Sequence, residues 1–227
     1  LSSRHKLNVF DFDGTLVATH EADTGKLLYE QLTGGPWTIE NTPTAIEHGH
    51  DPKFRRTGWW GRIETLTPPL IPRPVPTEFR IDSVYHDYLK AKADPEARNV
   101  LVTGRHSKID FLVSEVLKEL GIEFEECYFK GGYPLVKHPN YPKDNETPKF
   151  KVHAIVDHLI TQEIKRVEVW EDREDIVELF NTAMKERIKE EHPQVETLVI
   201  HDVKSNRNYC HPISSCKLKL HLSIKPG

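Results

Sequence analysis

The sequence predicts an α/β fold in which a parallel central sheet lies between helical layers. Three observations predict it. Short apolar runs at 7–12, 99–103, 167–170 and 197–201 alternate with segments whose apolar residues recur at helical spacing, the order that builds parallel sheets covered on both faces. The runs are nearly continuous in apolar residues, as in strands buried on both sides. Three of them stop abruptly at residues capable of chemistry: Asp11-Phe12-Asp13-Gly14-Thr15, Thr103-Gly104-Arg105 and Glu171-Asp172. In open α/β sheets ligands bind outside the carboxyl ends of the strands.

The elements follow in order. After the strand at 7–12, residues 26–32 suggest a short helix. Residues 33–80 hold half of the prolines and the pair Trp59-Trp60 with little periodicity, which suggests a structured loop or small cap inserted in the domain. Ile81, Val84, Tyr85, Tyr88 and Leu89 mark a helix over 81–92. The strand at 99–103 leads to an amphipathic helix over 107–120, with Ser107 as N-cap and Gly121 as the residue just past its end. A strand is expected at 124–129, then a Pro- and Gly-rich loop over 130–148. Val152, Ile155, Val156, Leu159 and Ile160 define a helix over 150–163. The strand at 167–170, a helix over 174–190 and the strand at 197–201 complete a domain over 1–202. Residues 203–227 read as a C-terminal extension, polar and irregular until Leu218, Leu220 and Leu222 alternate with polar residues as in an edge strand or arm.

Composition narrows the function classes. A net charge of −4 argues against a protein built mainly to coat nucleic acid, so any such role must rest on a local patch. Lys53, Arg55, Arg56 and Arg62 around the Trp pair are the one basic cluster interleaved with aromatics. No apolar run approaches a membrane span. Three cysteines are too few for a disulfide framework, so a reducing, intracellular compartment, cytoplasm or nucleus, is expected. His48-Gly49-His50 and Cys210-His211 with Cys216 lack the ligand number and spacing of a structural zinc site.

The three strand ends and the lysine pair Lys149 and Lys151 would bring carboxylates, a hydroxyl and an ammonium to one edge of the sheet. Phosphoryl transfer asks for such a set: a nucleophile, a cation against the phosphate oxygens, and fixed donors. Mg²⁺ would suit two or three carboxylates and a carbonyl, since it prefers oxygen ligands and keeps several waters.

The DxDGT run and the three later motifs resemble, in order, those of the haloacid-dehalogenase-like (HAD) hydrolases, with a Rossmannoid three-layer sandwich and a small or absent cap implied. Gly58-Trp59-Trp60, Val100–Arg105, Thr147–Lys151 and Trp170–Arg173 are similar, more narrowly, to the HAD domain of Swiss Army Knife RNA repair-like proteins. The resemblance implies Asp11 as the nucleophile that forms an aspartyl-phosphate, and Asp13 as general acid and base. It implies Thr103 as a donor to the phosphoryl oxygens and Lys151, preferred over Lys149 for its place at the helix start, as the neutralising cation. Gly104 and Arg105 are then expected to bind substrate phosphate. Asp11, Asp13, Asp172 and Glu171 are expected to hold Mg²⁺, with Glu171 a departure from a first Asp. The activity implied is that of a phosphatase on RNA or DNA ends, with a small-metabolite phosphatase and a non-catalytic phospho-ligand module as alternatives.

Overall fold

Side chains leaving the strands in two directions set the layers. β1 (Lys6–Phe10) sends Leu7 and Val9 to one face and Phe10 to the other. β2 (Ala97–His106) divides Val100 and Val102 from Leu101 in the same way. β4 (Arg166–Glu171) divides Val167 and Val169 from Trp170. Both faces must therefore be covered. The structure, a computed structural model, describes residues 4–37, 59–131 and 146–213.

With β3 (Glu126–Lys130), β5 (Thr197–Asp202) and β6 (Arg207–Pro212), the strands form one six-stranded sheet in the order β3-β2-β1-β4-β5-β6. All neighbours are parallel except β5 and β6. On one face lie α4 (Thr147–His153) with the π-helical turn Ala154–Leu159, and α5 (Glu174–Leu179), continued by Phe180–Met184 into α6 (Lys185–Glu191). Ile155, Val156, Ile176, Phe180 and Ile188 pack there on Val9, Val102 and Val169. On the other face, α2 (Asp82–Ala93) and α3 (Asp110–Glu119) bring Val84, Tyr88, Val113 and Val116 against Phe10, Leu101 and Trp170. This is the expected three-layer sandwich.

The inserted segment starts earlier than its composition suggests. The Ala18 N–H donates to the Phe79 carbonyl at 2.7 Å and the Ile81 N–H to Leu16 at 3.0 Å. The chain thus leaves the body near residue 18 and returns beside its own exit near residue 79. α1 (Ala22–Thr33), longer than the helix expected over 26–32, belongs to this excursion. Within its described part, Ile63, Leu66, Ile71 and Val75 join the sheet-face core. Over residues 59–79 it holds three short 3₁₀ turns and packs into the body.

Other boundaries shift for local reasons. β2 runs on to His106, so the Thr-Gly-Arg motif lies inside a strand, not in a turn after it. Ser107 opens a single 3₁₀ turn whose cap is the His106 side chain, accepting from the Lys108 N–H, and α3 begins only at Asp110. Gly121 has φ +75°, as expected of a residue ending a helix. The helix expected over 150–163 starts three residues earlier, where Pro148 stands in its first turn, and ends at Leu159. The observed edge strand is Arg207–Pro212, within the stretch read as irregular. The alternation at Lys217–Ile224 lies outside the described residues.

Candidate active site

Register brings the motifs together. Phe10 stands level with Leu101 on one side and Trp170 on the other. Asp11 just past Phe10, Thr103 two residues past Leu101, and Glu171-Asp172 just past Trp170 therefore share one edge of the sheet, where the strand order reverses beside β1. The Asp11 N–H continues the ladder to the Trp170 carbonyl at 3.1 Å.

At the floor, Asp11, Lys151 and Glu171 form a buried triad. The Lys151 ammonium lies 2.8 Å from an Asp11 oxygen and 2.5 Å from Glu171, and no member exposes more than 5% of its surface. α4 supplies Lys151 from the face that packs on the sheet. Lys149, two residues back on the same helix, is solvent-facing and pairs with Glu146. Of the two lysines, the structure brings Lys151 to the carboxylates. The remaining Glu171 oxygen accepts the Arg173 N–H at 3.2 Å.

Asp172 approaches from the end of β4. Thr15 donates to it at 3.5 Å. A Cβ on Gly14 would lie 2.1 Å from its carboxylate, and Gly14 has φ +66°, so glycine is required there for both reasons. Carboxylate oxygens of Asp11, Glu171 and Asp172 lie within 4.8 Å of one another.

This crowding raises the acids. Burial, foremost, pushes the Asp11 carboxyl up to about 7, against the pull of Lys151 and with help from Glu171 and Asp13. Burial and then Asp11 push Asp172 up to about 6. Glu171 is raised by burial, and Lys151 is raised because Asp11 and Glu171 outweigh its own burial. Hard oxygen donors, close together and with excess negative charge, fit a divalent cation such as Mg²⁺.

Asp13 sits apart from this floor, held by Arg105. Its Oδ2 accepts from Arg105 Nε at 2.9 Å and its Oδ1 from Nη2 at 2.6 Å and from the Thr19 hydroxyl at 2.7 Å. Arg105 is fully buried; its third nitrogen donates to the Thr65 hydroxyl at 2.5 Å and the Trp60 carbonyl at 3.3 Å. Its guanidinium carbon lies 5.1 Å from the Trp60 ring centre. Arg105, expected from sequence to bind substrate phosphate, is engaged by protein at all three guanidinium nitrogens. A register break between Thr103 and His106 accompanies this placement, since irregularities of this kind re-aim side chains at strand ends.

Thr103 is fully buried and its hydroxyl oxygen accepts the Arg105 N–H at 3.1 Å. Gly104 lines the cleft with Asp11, Asp13, Lys151, Asp172, Trp60, Glu21, Thr147 and Arg173. The Trp pair divides its work. Trp59 packs against Gly25 of α1 and donates to the His20 carbonyl at 2.8 Å, bracing the insertion, while Trp60 faces the cleft. Arg62, part of the suspected basic patch, is buried in an ion pair with Glu64 and is not available to a nucleic-acid backbone. Lys53, Arg55 and Arg56 lie outside the described residues. Thr19, Glu21, Thr65 and Thr147 escaped sequence reading. The Thr147-Pro148 helix start was the one available signal among them.

No curated protein matches the sequence. Among solved structures, one likeness is to a chain of the Pnkp1/Rnl/Hen1 complex, at 16% identity and TM-score 0.41, covering 80% of this chain and 44% of that one. A second structure of that RNA repair complex gives 40% coverage of its chain, so the chain spans less than half the length of these relatives. The HAD domain of effector protein Lem4 from Legionella pneumophila is similar at 12% identity and TM-score 0.44, covering 87% of this chain and 85% of that one. A hydrolase from Streptococcus pneumoniae TIGR4 is similar at 17% identity and TM-score 0.35, covering 80% and 90%. The model of HAD domain family 1 in Swiss Army Knife RNA repair proteins matches residues 41–218, a span that holds Thr103, Lys151, Glu171 and Asp172 but begins after Asp11 and Asp13. With its three strand-end motifs and Lys151 of α4 gathered at one sheet edge and most of its length matched, the chain belongs to this HAD family.

Proposed function

We propose that this chain is a Mg²⁺-dependent phosphomonoesterase that works through an aspartyl-phosphate on Asp11. The observation that carries the reading is the buried Asp11–Lys151–Glu171 triad, with Asp172 beside it and Asp13 held separately by Arg105. The two aspartates of the first motif thus occupy different surroundings, as a nucleophile and an acid–base group require.

In the first step an Asp11 oxygen attacks phosphorus and the P–O bond to the alcohol breaks. Asp13 protonates the departing oxygen, a contribution of roughly 10²–10⁴-fold for general acid catalysis. Lys151 offsets the charge gathering on the phosphoryl oxygens, and the Thr103 hydroxyl and the Gly104 main chain would donate to them. In the second step Asp13 takes a proton from water, which attacks the aspartyl-phosphate and returns Asp11. Asp11, Asp172 and Glu171, with the Asp13 carbonyl, would hold Mg²⁺, which when bound neutralises phosphate charge and polarises the phosphoryl group.

The family's description as a domain of RNA repair proteins supports phosphorylated RNA or DNA ends as the substrate. Phosphate release is to be measured with 3′- and 5′-phosphorylated oligonucleotides against sugar and nucleotide phosphates, with Mg²⁺ and with EDTA. Asp11→Asn is expected to lower kcat by more than about 10³-fold with the fold intact by circular dichroism. A folded, Mg²⁺-loaded Asp11→Asn protein that keeps most of its activity would sink the assignment.

A further inference from the structure

The cleft floor carries four carboxylates, Asp11, Asp13, Glu171 and Asp172, against two cations, Lys151 and Arg105. Its rim carries cations as well as the acid Glu21. Arg173 lines the mouth beside Thr147 and Gly104. Lys130, the last residue of β3, donates from its ammonium to the Thr147 hydroxyl at 3.3 Å. His106 stands opposite Lys130 in the strand register, with Nδ1 accepting the Lys108 N–H and Nε2 turned toward Gly131.

These cations are near enough to oppose one another. Burial first, and then Arg173, disfavours the charged form of Lys130, while burial and then Lys108 and Lys130 disfavour that of His106. The acids in reach are exposed to solvent: Glu146 pairs with Lys149, Asp175 meets Arg173 in an exposed ion pair that water screens, and Glu21 lines the cleft as an exposed carboxylate. Like charges gathered around one threonine, at the mouth of a site for an anion, are stabilised when a further anion enters among them.

We propose that Lys130 and Arg173, with the Thr147 hydroxyl, form a second anion subsite that binds another phosphate of the same substrate molecule. The phosphate removed sits on the floor and the second is held at the rim. The substrate class is therefore an ester whose alcohol part itself carries a phosphate, supplied either by the next phosphodiester of a nucleic-acid strand or by a small bisphosphate. The proposal rests on the phosphomonoesterase reading only for the identity of the first phosphate.

The test is calorimetric binding to full-chain Asp11→Asn protein with Mg²⁺, using a nucleoside 3′-monophosphate, a dinucleotide 3′-phosphate and a sugar bisphosphate as probes. At least one doubly phosphorylated probe is expected to bind about 10-fold or more tightly than the monophosphate. Adding Lys130→Met should remove most of that preference and leave monophosphate affinity within about 2-fold, and Lys130→Arg should restore it. Preference for the dinucleotide assigns the second anion to a strand, and preference for the sugar bisphosphate to a small metabolite. Equal affinity for all three probes, or a preference that survives Lys130→Met, overturns the subsite. If the preference is present but the unmutated protein hydrolyses no phosphomonoester, the catalytic reading fails and the subsite stands.

Discussion

Asp13 and Arg105 show how one side chain's neighbours change its meaning. In sequence, an arginine two residues after Thr103 at a strand end suits a phosphate. In the structure its fork is engaged by Asp13, Thr65 and Trp60, and it holds Asp13, the group proposed as acid and base. Arg105→Lys keeps the charge but not the planar fork. It is expected to lower kcat about 10–100-fold with KM little changed, because Asp13 loses its orientation. It should also cost about 2–4 kcal/mol in urea denaturation, since buried partners are left unpaired. A rise in KM at constant kcat would instead mark Arg105 as a direct phosphate ligand. Lys151 is the opposite case. Its place near a helix start pointed to it in sequence; α4 begins earlier, at Thr147, and the Lys151 ammonium lies buried between Asp11 and Glu171.

Between elements, the close approach of β2 to the start of α4 governs the cleft wall. A Cβ on Gly104 would lie 2.5 Å from the Thr147 Cγ2, so glycine is needed there for contact and not for its backbone angle. Gly104→Ala is expected to push α4, and Lys151 with it, away from Asp11. Stability should fall by about 1–3 kcal/mol, with a marked loss of kcat. Thr147→Ser removes the clashing methyl, so the double variant should recover much of both; denaturant melts and steady-state kinetics on the four proteins of the cycle would show whether the two sites couple. Helix interiors were legible because their apolar spacing is local information. Helix starts were not, because His106 and Pro148 act through backbone geometry that pattern alone does not display.

For the molecule as a whole, the acid cluster links stability to pH and to metal. Asp11 at about 7 and Asp172 at about 6 lie above the ordinary carboxylate value near ~4. Groups raised in the folded state contribute stability that is complete below the unfolded value and is lost as pH rises through the folded one. Without a divalent cation, that contribution is therefore expected to fade between about pH 4 and pH 7. Mg²⁺ competes with those protons, so its stabilising effect should be larger at about pH 8 than at about pH 5.5. Thermal melts with Mg²⁺ and with EDTA at the two values check this, and an equal rise in Tm at both would contradict it. Among the described residues no helix is long and apolar enough to cross a membrane.

Read by itself, the sequence determined the layered α/β class, the order of strands and helices in the sandwich, and the strand ends that carry Asp11, Asp13, Thr103, Glu171 and Asp172. These follow from apolar periodicity and from turn residues, which act over a few positions. Tertiary structure alone decided that the excursion from residue 18 to 79 closes on itself, that Trp60 and Thr65 back Arg105, and that Lys130 reaches Thr147 of the cleft that Arg173 also lines. Each of these joins residues far apart in the chain. Their contacts are set by how the elements pack, and no local pattern encodes that packing.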